Sequence, residues 1–301
     1  MSRMGDVLAG FHAVWEFDTD SVLIRFERGI RRPKLFQALG ERRVPYEALK
    51  SVELTPGRRG TVVLRAVPRP GADPLLEAAA GQLKEDLDPY RLVLPAEREV
   101  LAEYYRDELR GALGPDAARP AEKHLVTAPE PPLTFKAYDG KASFDGSAVA
   151  FRWFWTGASS AKWKCGDQSF PVDALAGVEW RSPEGGAGVL SGNGYLRLVE
   201  KGAEGRRPGE ADQDPASVVF GLGYGPVHES LPFAAAVLQA VRAAGPDGDA
   251  APRRAVRPRD DTRRDPADIA DRIRQLGELH TAGLLTDAEF TSKKAELLAE
   301  L

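Results

Sequence analysis

The sequence predicts an α+β protein of two repeated units, each an antiparallel strand array closed by a helix, followed by a small helical hairpin. Three observations carry this reading. Val44 to Leu54 returns as Phe170 to Trp180 without a gap, keeping the proline (Pro45, Pro171), the acid (Glu47, Asp173), the Ala-Leu pair and the Val-Glu pair. The match extends upstream: Phe17-Asp18, then Val22, Ile24, Arg25 and Phe26, parallels Phe144-Asp145, then Val149, Phe151, Arg152 and Trp153. Beyond residue 264, helix caps and helical spacing replace the strand-like alternation.

In the first unit, residues 1–113, short β-branched or aromatic stretches alternate with Gly, Pro and charged clusters. Trp15 to Phe17, Val22 to Phe26, Leu35 to Ala38, Val52 to Leu54, Thr61 to Val67 and Tyr90 to Leu94 read as strands. Ala96 to Leu113 reads as a helix whose apolar face holds Val100, Leu101, Tyr104, Tyr105 and Leu109, with Pro95 suited to its start. Five prolines in residues 114–133 (Pro115, Pro120, Pro129, Pro131 and Pro132) resist helix and central strand, which makes that stretch a semi-extended linker.

The second unit, residues 134–244, repeats the order. Its strands are Ala148 to Trp155, Ala161 to Cys165, Gly177 to Trp180, Tyr195 to Glu200 and Ser217 to Phe220, and its helix is Ser230 to Ala243. Each closing helix is expected to lie on its own strands. Residues 245–264 hold almost no large apolar group, so they cannot offset the entropy of ordering and read as a disordered tether. Their arginines, interleaved with acids, favour a solvated tether over a polyanion grip.

Residues 265–301 read as an αα-hairpin. Asp265 caps a first helix with Pro266 at its first position, and Gly283 ends it. Thr286 and Glu289 form a capping box for the second, with Leu285 and Phe290 as a hydrophobic staple. So short a hairpin cannot hide Ile269, Ile273, Leu276, Phe290 and Leu297 internally, which marks them as an interaction surface.

Composition narrows the function. The net charge of -4 gives no reason to expect nucleic acid. The single cysteine, Cys165, rules out an intramolecular disulfide and a cysteine-based zinc site. No apolar run reaches membrane-spanning length, so the expectation is a cytoplasmic protein that at most touches a membrane.

Leu276-Gly277-Glu278-Leu279, Gly283-Leu284-Leu285-Thr286, Glu289-Phe290 and Lys293-Lys294 to Leu297-Leu298 resemble the SHOCT family, a short C-terminal domain appended to otherwise different bacterial proteins. That resemblance implies an oligomerisation or interaction element. The two large units resemble the tandem domain of unknown function of actinobacterial, particularly streptomycete, proteins that carry this tail. Strands followed by a terminal helix are similar to a pleckstrin-homology-like fold, in which a helix plugs a bent antiparallel sheet. None of these resemblances supplies catalytic positions.

The residues themselves point to no catalytic, cofactor or metal site. His12, His124, His228 and His280 lack metal-ligand spacing, and Cys165 reads as a small buried thiol rather than a nucleophile. Gly185 to Gly194 and Gly221 to Gly225 lack the context of a phosphate-binding loop and read as hairpin turns. Arg25, Arg28, Arg31, Arg32 and Lys34 cluster after one strand. They read as a solvated basic hairpin, with anion or lipid binding as the alternative that the pleckstrin-homology resemblance suggests. In the second unit Phe151, Trp153 and Trp155 alternate toward a core, leaving Phe154 and Trp163 as candidates for an exposed contact patch. The expected function is a non-enzymatic binding or scaffold protein that self-associates or docks through its hairpin. The alternatives are a peripheral sensor of anionic membranes and, without positive support, an enzyme with a site between the repeats.

Overall fold

The computed structural model describes residues 6–30, 32–183, 194–202, 209–221 and 223–245, together with positions 277, 287, 290, 291, 294 and 295 of the tail. The predicted tether, and nearly all of the predicted hairpin, lie outside the described residues.

The first unit opens with four antiparallel strands in sequence order: β1 (Asp6–Ala9), β2 (Ala13–Phe17), β3 (Ser21–Phe26) and β4 (Glu41–Pro45). Alternation explains their inner face, since Ala13 and Trp15 of β2 and Val22, Ile24 and Phe26 of β3 are all buried. A short helix, α1 (Lys34–Leu39), bridges β3 and β4. A second sheet follows: β5 (Leu49–Pro56), β6 (Thr61–Pro68) and β7 (Arg91–Pro95), with α2 (Pro74–Ala79) inserted before β7. Asp73 caps α2 by accepting the Leu75 amide at 3.0 Å, and Pro74 takes the first position. The unit ends in α3 (Glu99–Gly111).

The second unit has the same strand order. Its four-stranded sheet is β8 (Leu133–Lys136), β9 (Gly140–Phe144), β10 (Ala148–Trp153) and β11 (Gln168–Pro171), with α4 (Ser160–Cys165) between the last two. Its second sheet is β12 (Leu175–Arg181), β13 (Tyr195–Glu200) and β14 (Ser217–Val219), closed by α5 (Val227–Ala243). The repeat holds to the register. Val52 pairs with Ala66 and Leu54 with Leu64, as Val178 pairs with Leu198 and Trp180 with Leu196, and both pairings slip at the same point, Leu49/Ser51 and Leu175/Gly177. An ion pair is duplicated too. Arg65 Nε lies 2.9 Å from Asp88, and Arg197 Nε lies 3.0 Å from Asp214. The other oxygen of each acid accepts a backbone amide, from Tyr90 and Ala216.

Four expectations are corrected. Leu35 to Ala38 and Ala161 to Cys165 are helical: Pro33 and Ser159 open α1 and α4, and Gly40 (φ 65°) and Gly166 (φ 69°) close them in a conformation that suits glycine. Cys165 is exposed, because the helix turns it away from the sheet. Strand β10 stops at Trp153, so Trp155 leaves the alternation and is exposed while Phe151 and Trp153 are buried. On α3 the buried line is Ala102, Tyr105 and Leu109, whereas Val100, Leu101 and Tyr104 face solvent.

The closing helices have different surroundings. α3 lies on β5 and β6 of its own unit, as expected. α5 lies on β8 and β12 of its own unit, but α1 and α2 of the first unit pack against it as well. Leu35, Leu75, Ala78 and Ala79 therefore belong to the same core as Leu231, Phe233 and Val237. The proline-rich linker runs along this seam rather than free of it: Val126 and Ala128 are buried, and Gln239 accepts the Ala128 amide at 2.7 Å.

Candidate interaction surfaces

The basic cluster of the first unit is spread over strand, loop and helix. Arg25, on β3, pairs with Glu16 and, at 3.5 Å, with Glu41. Arg32 pairs with Glu27 at 2.5 Å, and its other nitrogen lies 2.6 Å from His12 Nδ1. Partial burial and then the Arg32 charge hold the His12 imidazole below its ordinary pKa, so the neutral ring accepts this bond. Lys34 begins α1 near His228 of the second unit. Arg28 is exposed on the loop, and Arg31 lies outside the described residues. Thus Arg28 and Arg32 share a loop, where Glu27 pairs with Arg32, while Arg25 is matched by two carboxylates.

Two apolar side chains that sequence reasoning missed stand at this end. Ile30, at the loop tip, is fully exposed, and Phe11, in the turn between β1 and β2, is 45% exposed. The Glu27 amide donates to the His12 carbonyl at 3.0 Å, which holds turn and loop side by side. A Gly or charged residue at a loop tip is ordinary; an isoleucine between arginines was the available signal.

The corresponding end of the second unit is aromatic. Trp155 and Trp163 meet edge to face at 5.5 Å, both exposed, and Tyr138 is exposed on the neighbouring turn. The Phe154 amide donates to the Asp139 carbonyl at 2.9 Å and fixes the two loops together. Of the two predicted patch residues, Trp163 is exposed and Phe154 is half-buried.

Beneath these surfaces lie closed charge networks. In the first unit Arg42 Nη2 donates to Asp73 at 2.7 Å, and the Tyr90 hydroxyl donates to the other Asp73 oxygen at 2.6 Å. Burial disfavours the Arg42 charge, but Asp73 and Tyr90 together outweigh it and hold the guanidinium above its ordinary pKa; burial pushes the Tyr90 phenol up. In the second unit Lys162 Nζ lies 2.5 Å from Asp139 and donates to the Ala211 carbonyl at 2.8 Å, while Asp139 also accepts the Val219 amide. Burial pushes Lys162 down and Asp139 up, and their contact pulls both back toward the charged forms. Both networks are enclosed and internally partnered, so they brace the fold and offer no group to a substrate. Among the described residues, no group of three or more His, Cys, Asp or Glu side chains is placed to hold a metal ion.

Of the predicted hairpin surface, Ile269, Ile273, Leu276 and Leu297 lie outside the described residues. Phe290 is helical and half-buried, with Lys294 Nζ 5.7 Å from its ring centroid.

The duplication has a counterpart in family comparison. The model for a domain of unknown function, DUF4429, matches residues 15–110 and again 142–238. The chain belongs to the DUF4429 family. Its two DUF4429 segments coincide with the two sheet-and-helix units, and the first match ends within α3 as the second ends within α5. The short C-terminal domain, SHOCT, matches residues 271–298. No curated protein matches the chain. Among the described residues, no helix is long and apolar enough to cross a membrane.

Proposed function

We propose that the protein is a non-enzymatic scaffold: a platform of two fused DUF4429 units that presents loop-end surfaces to partners and carries a C-terminal interaction element on a tether. The observation that carries this reading is the shared core at α5. Packing α1 and α2 of one unit against the closing helix of the other makes the repeats one platform and leaves their loop ends free for contacts. Sheets of four and three strands with a terminal helix support a pleckstrin-homology-like assignment for each unit. Capture from the native cell with the full chain and with a chain ending at residue 264 tests the proposal. The full chain should retain a protein partner, or a larger light-scattering mass, that the shortened one loses; identical partners and mass would refute it.

A second reading, contact with anionic membrane, is favoured by one observation: Ile30 and Phe11 project beside Arg28 and Arg32, pairing apolar tips with cations at one end. Flotation with vesicles containing anionic lipid, at low and high salt, tests it. Replacing Arg28 and Arg32 by Glu should abolish binding, because each such cation contributes about 1 kcal/mol.

A further inference from the structure

The two units keep one exposed feature that neither core requires. In the turn between the first two strands of each unit, the Phe11 amide donates to the Val93 carbonyl of β7 at 2.9 Å, and the Tyr138 amide to the Val219 carbonyl of β14 at 2.9 Å. Phe11 and Tyr138 therefore hold the same place, and both rings are exposed. The loop fastened to each turn adds a second exposed apolar group, Ile30 in the first unit and Trp155 in the second. Duplication has changed these side chains but kept large apolar groups in solvent at matching tips.

Both tips lie at the N-terminal end of α5. Gln37 of α1 donates to the Gly29 and Arg32 carbonyls at 3.0 and 3.2 Å, which holds the Ile30 loop on α1. α1 packs against α5, and its first residue, Lys34, lies within electrostatic reach of His228 in the first turn of α5. From the second unit, the Gly225 amide, just before α5, donates to the carbonyl of Lys136 at the end of β8 at 2.8 Å, two residues from Tyr138. The Trp155 loop adjoins the same turn, since a Cβ on Gly157 would collide with the Tyr138 carbonyl.

Charge at this end is one-sided. Asp and Glu supply 45 of the 301 residues, yet residues 10–12, 27–34, 137–140, 154–164 and 221–226 contain only Glu27 and Asp139. Both are already paired, Glu27 with Arg32 and Asp139 with the buried Lys162. Of the acids just outside these stretches, Asp167 accepts the Trp153 amide at 3.1 Å and Glu229 lies 3.7 Å from His228. Arg28, Lys34 and Lys164 are exposed within them. Cations beside tryptophan and tyrosine rings are the chemistry of a protein surface that meets an anionic bilayer, where amphipathic rings settle at headgroup level and cations meet lipid phosphates. Tips carried on separate loops suit a deformable layer of that kind.

We infer that the loop ends of both units form one surface for an anionic bilayer, with Trp155, Trp163 and Tyr138 of the second unit as its interfacial anchors and Phe11 and Ile30 of the first beside them. The inference rests on the membrane reading and extends it to the second unit, which sequence and charge alone leave out of it.

Flotation of the full-length chain with vesicles of equal parts phosphatidylglycerol and phosphatidylcholine tests it, with tryptophan quenching by brominated acyl chains as a second readout. Trp15, Trp153 and Trp180 are buried, so quenching reports Trp155 and Trp163. The native chain should float and be quenched. Trp155→Ser with Trp163→Ser should lower partitioning at least about tenfold and abolish quenching, as expected for the loss of two inserted side chains. If that variant fails to fold, quenching of the native chain decides. A native chain that floats and loses binding on Arg28→Glu with Arg32→Glu, yet is not quenched and is indifferent to the tryptophan changes, would overturn the inference and leave the first-unit membrane reading standing. A native chain that floats with no vesicles would overturn both.

Discussion

Phe36 and Lys162 fill the same slot in the two units, one with a ring and the other with a charge. In the first unit Phe36 stacks on Phe26, the last residue of β3, at 4.8 Å. In the second, Trp153 ends β10, and Lys162 sets its ammonium 5.0 Å from the Trp153 ring centroid while pairing with Asp139. Strand order, register and the Arg–Asp pair beside the last strand are retained between the units, but the filling of this slot is not. A duplicated backbone tolerates different core chemistry when each version satisfies its own polar groups. The closing helices diverge in the same way: α3 serves one unit, whereas α5 is buried from both.

The buried charge is the sharpest place to break this comparison. Lys162→Met should cost about 3–5 kcal/mol in denaturant unfolding, because it leaves the Asp139 carboxylate buried without its cation. Adding Asp139→Asn should recover much of that loss, since the amide oxygen can still accept the Val219 amide. A Lys162→Met protein as stable as the native one would mean that the slot is wet and the two units are more alike than their packing indicates.

The seam comes next. Leu75 lies in the first unit but packs in the core of the second. Leu75→Ala should cost about 2–5 kcal/mol, and hydrogen exchange should accelerate in α5 as well as in α2. Unchanged exchange in α5 would show that the units fold independently. A smaller effect separates the two copies of the Arg–Asp pair. Arg197 has only 8% of its side chain exposed and also pairs with Glu179, whereas Arg65 is half exposed. Arg197→Met should cost about 1–3 kcal/mol, as for loss of a buried charged hydrogen bond, and Arg65→Met less than about 1 kcal/mol. Equal costs, read from chemical denaturation, would remove burial as the difference.

The sequence makes the repeat, the strands and the closing helices legible because these follow from local alternation and a gapless match. It conceals α1 and α4, six residues each, where runs such as Lys34 to Leu39 are too short for helical spacing to stand apart from strand spacing. Pro33 and Gly40 were the usable signals. The seam was visible in principle: Leu231, Phe233, Ala234, Ala235, Ala236 and Val237 are too apolar to be hidden by one face of a helix. Which surface covers the second face depends on α2, and nothing local to α5 names it. The basic loop illustrates the same limit, since Glu16, which offsets Arg25, comes from a neighbouring strand.

The smallest expected effect concerns Glu77, the one carboxylate of α2, which joins the seam to the linker. It accepts from His124 Nε2 at 3.0 Å and pairs with Arg242 at 3.1 Å, linking first unit, linker and second unit. The His124 hydrogen bond, aided by Arg242 and opposed by burial, holds the Glu77 carboxyl below its ordinary pKa of 4.5. With the folded value depressed, the unfolded chain binds the proton first as the solution is acidified. The contribution of this contact is therefore complete above the ordinary carboxylate value and disappears as pH falls through the lower folded value. Because the pair is partly exposed, its size should be under about 1 kcal/mol. Unfolding curves of native protein and Glu77→Gln, taken from neutral pH to pH about 3, should differ at the neutral end and converge at the acid end. Curves that stay parallel throughout would show that the Glu77 charge does nothing for the seam, leaving the apolar packing around Leu75 to hold the two units together.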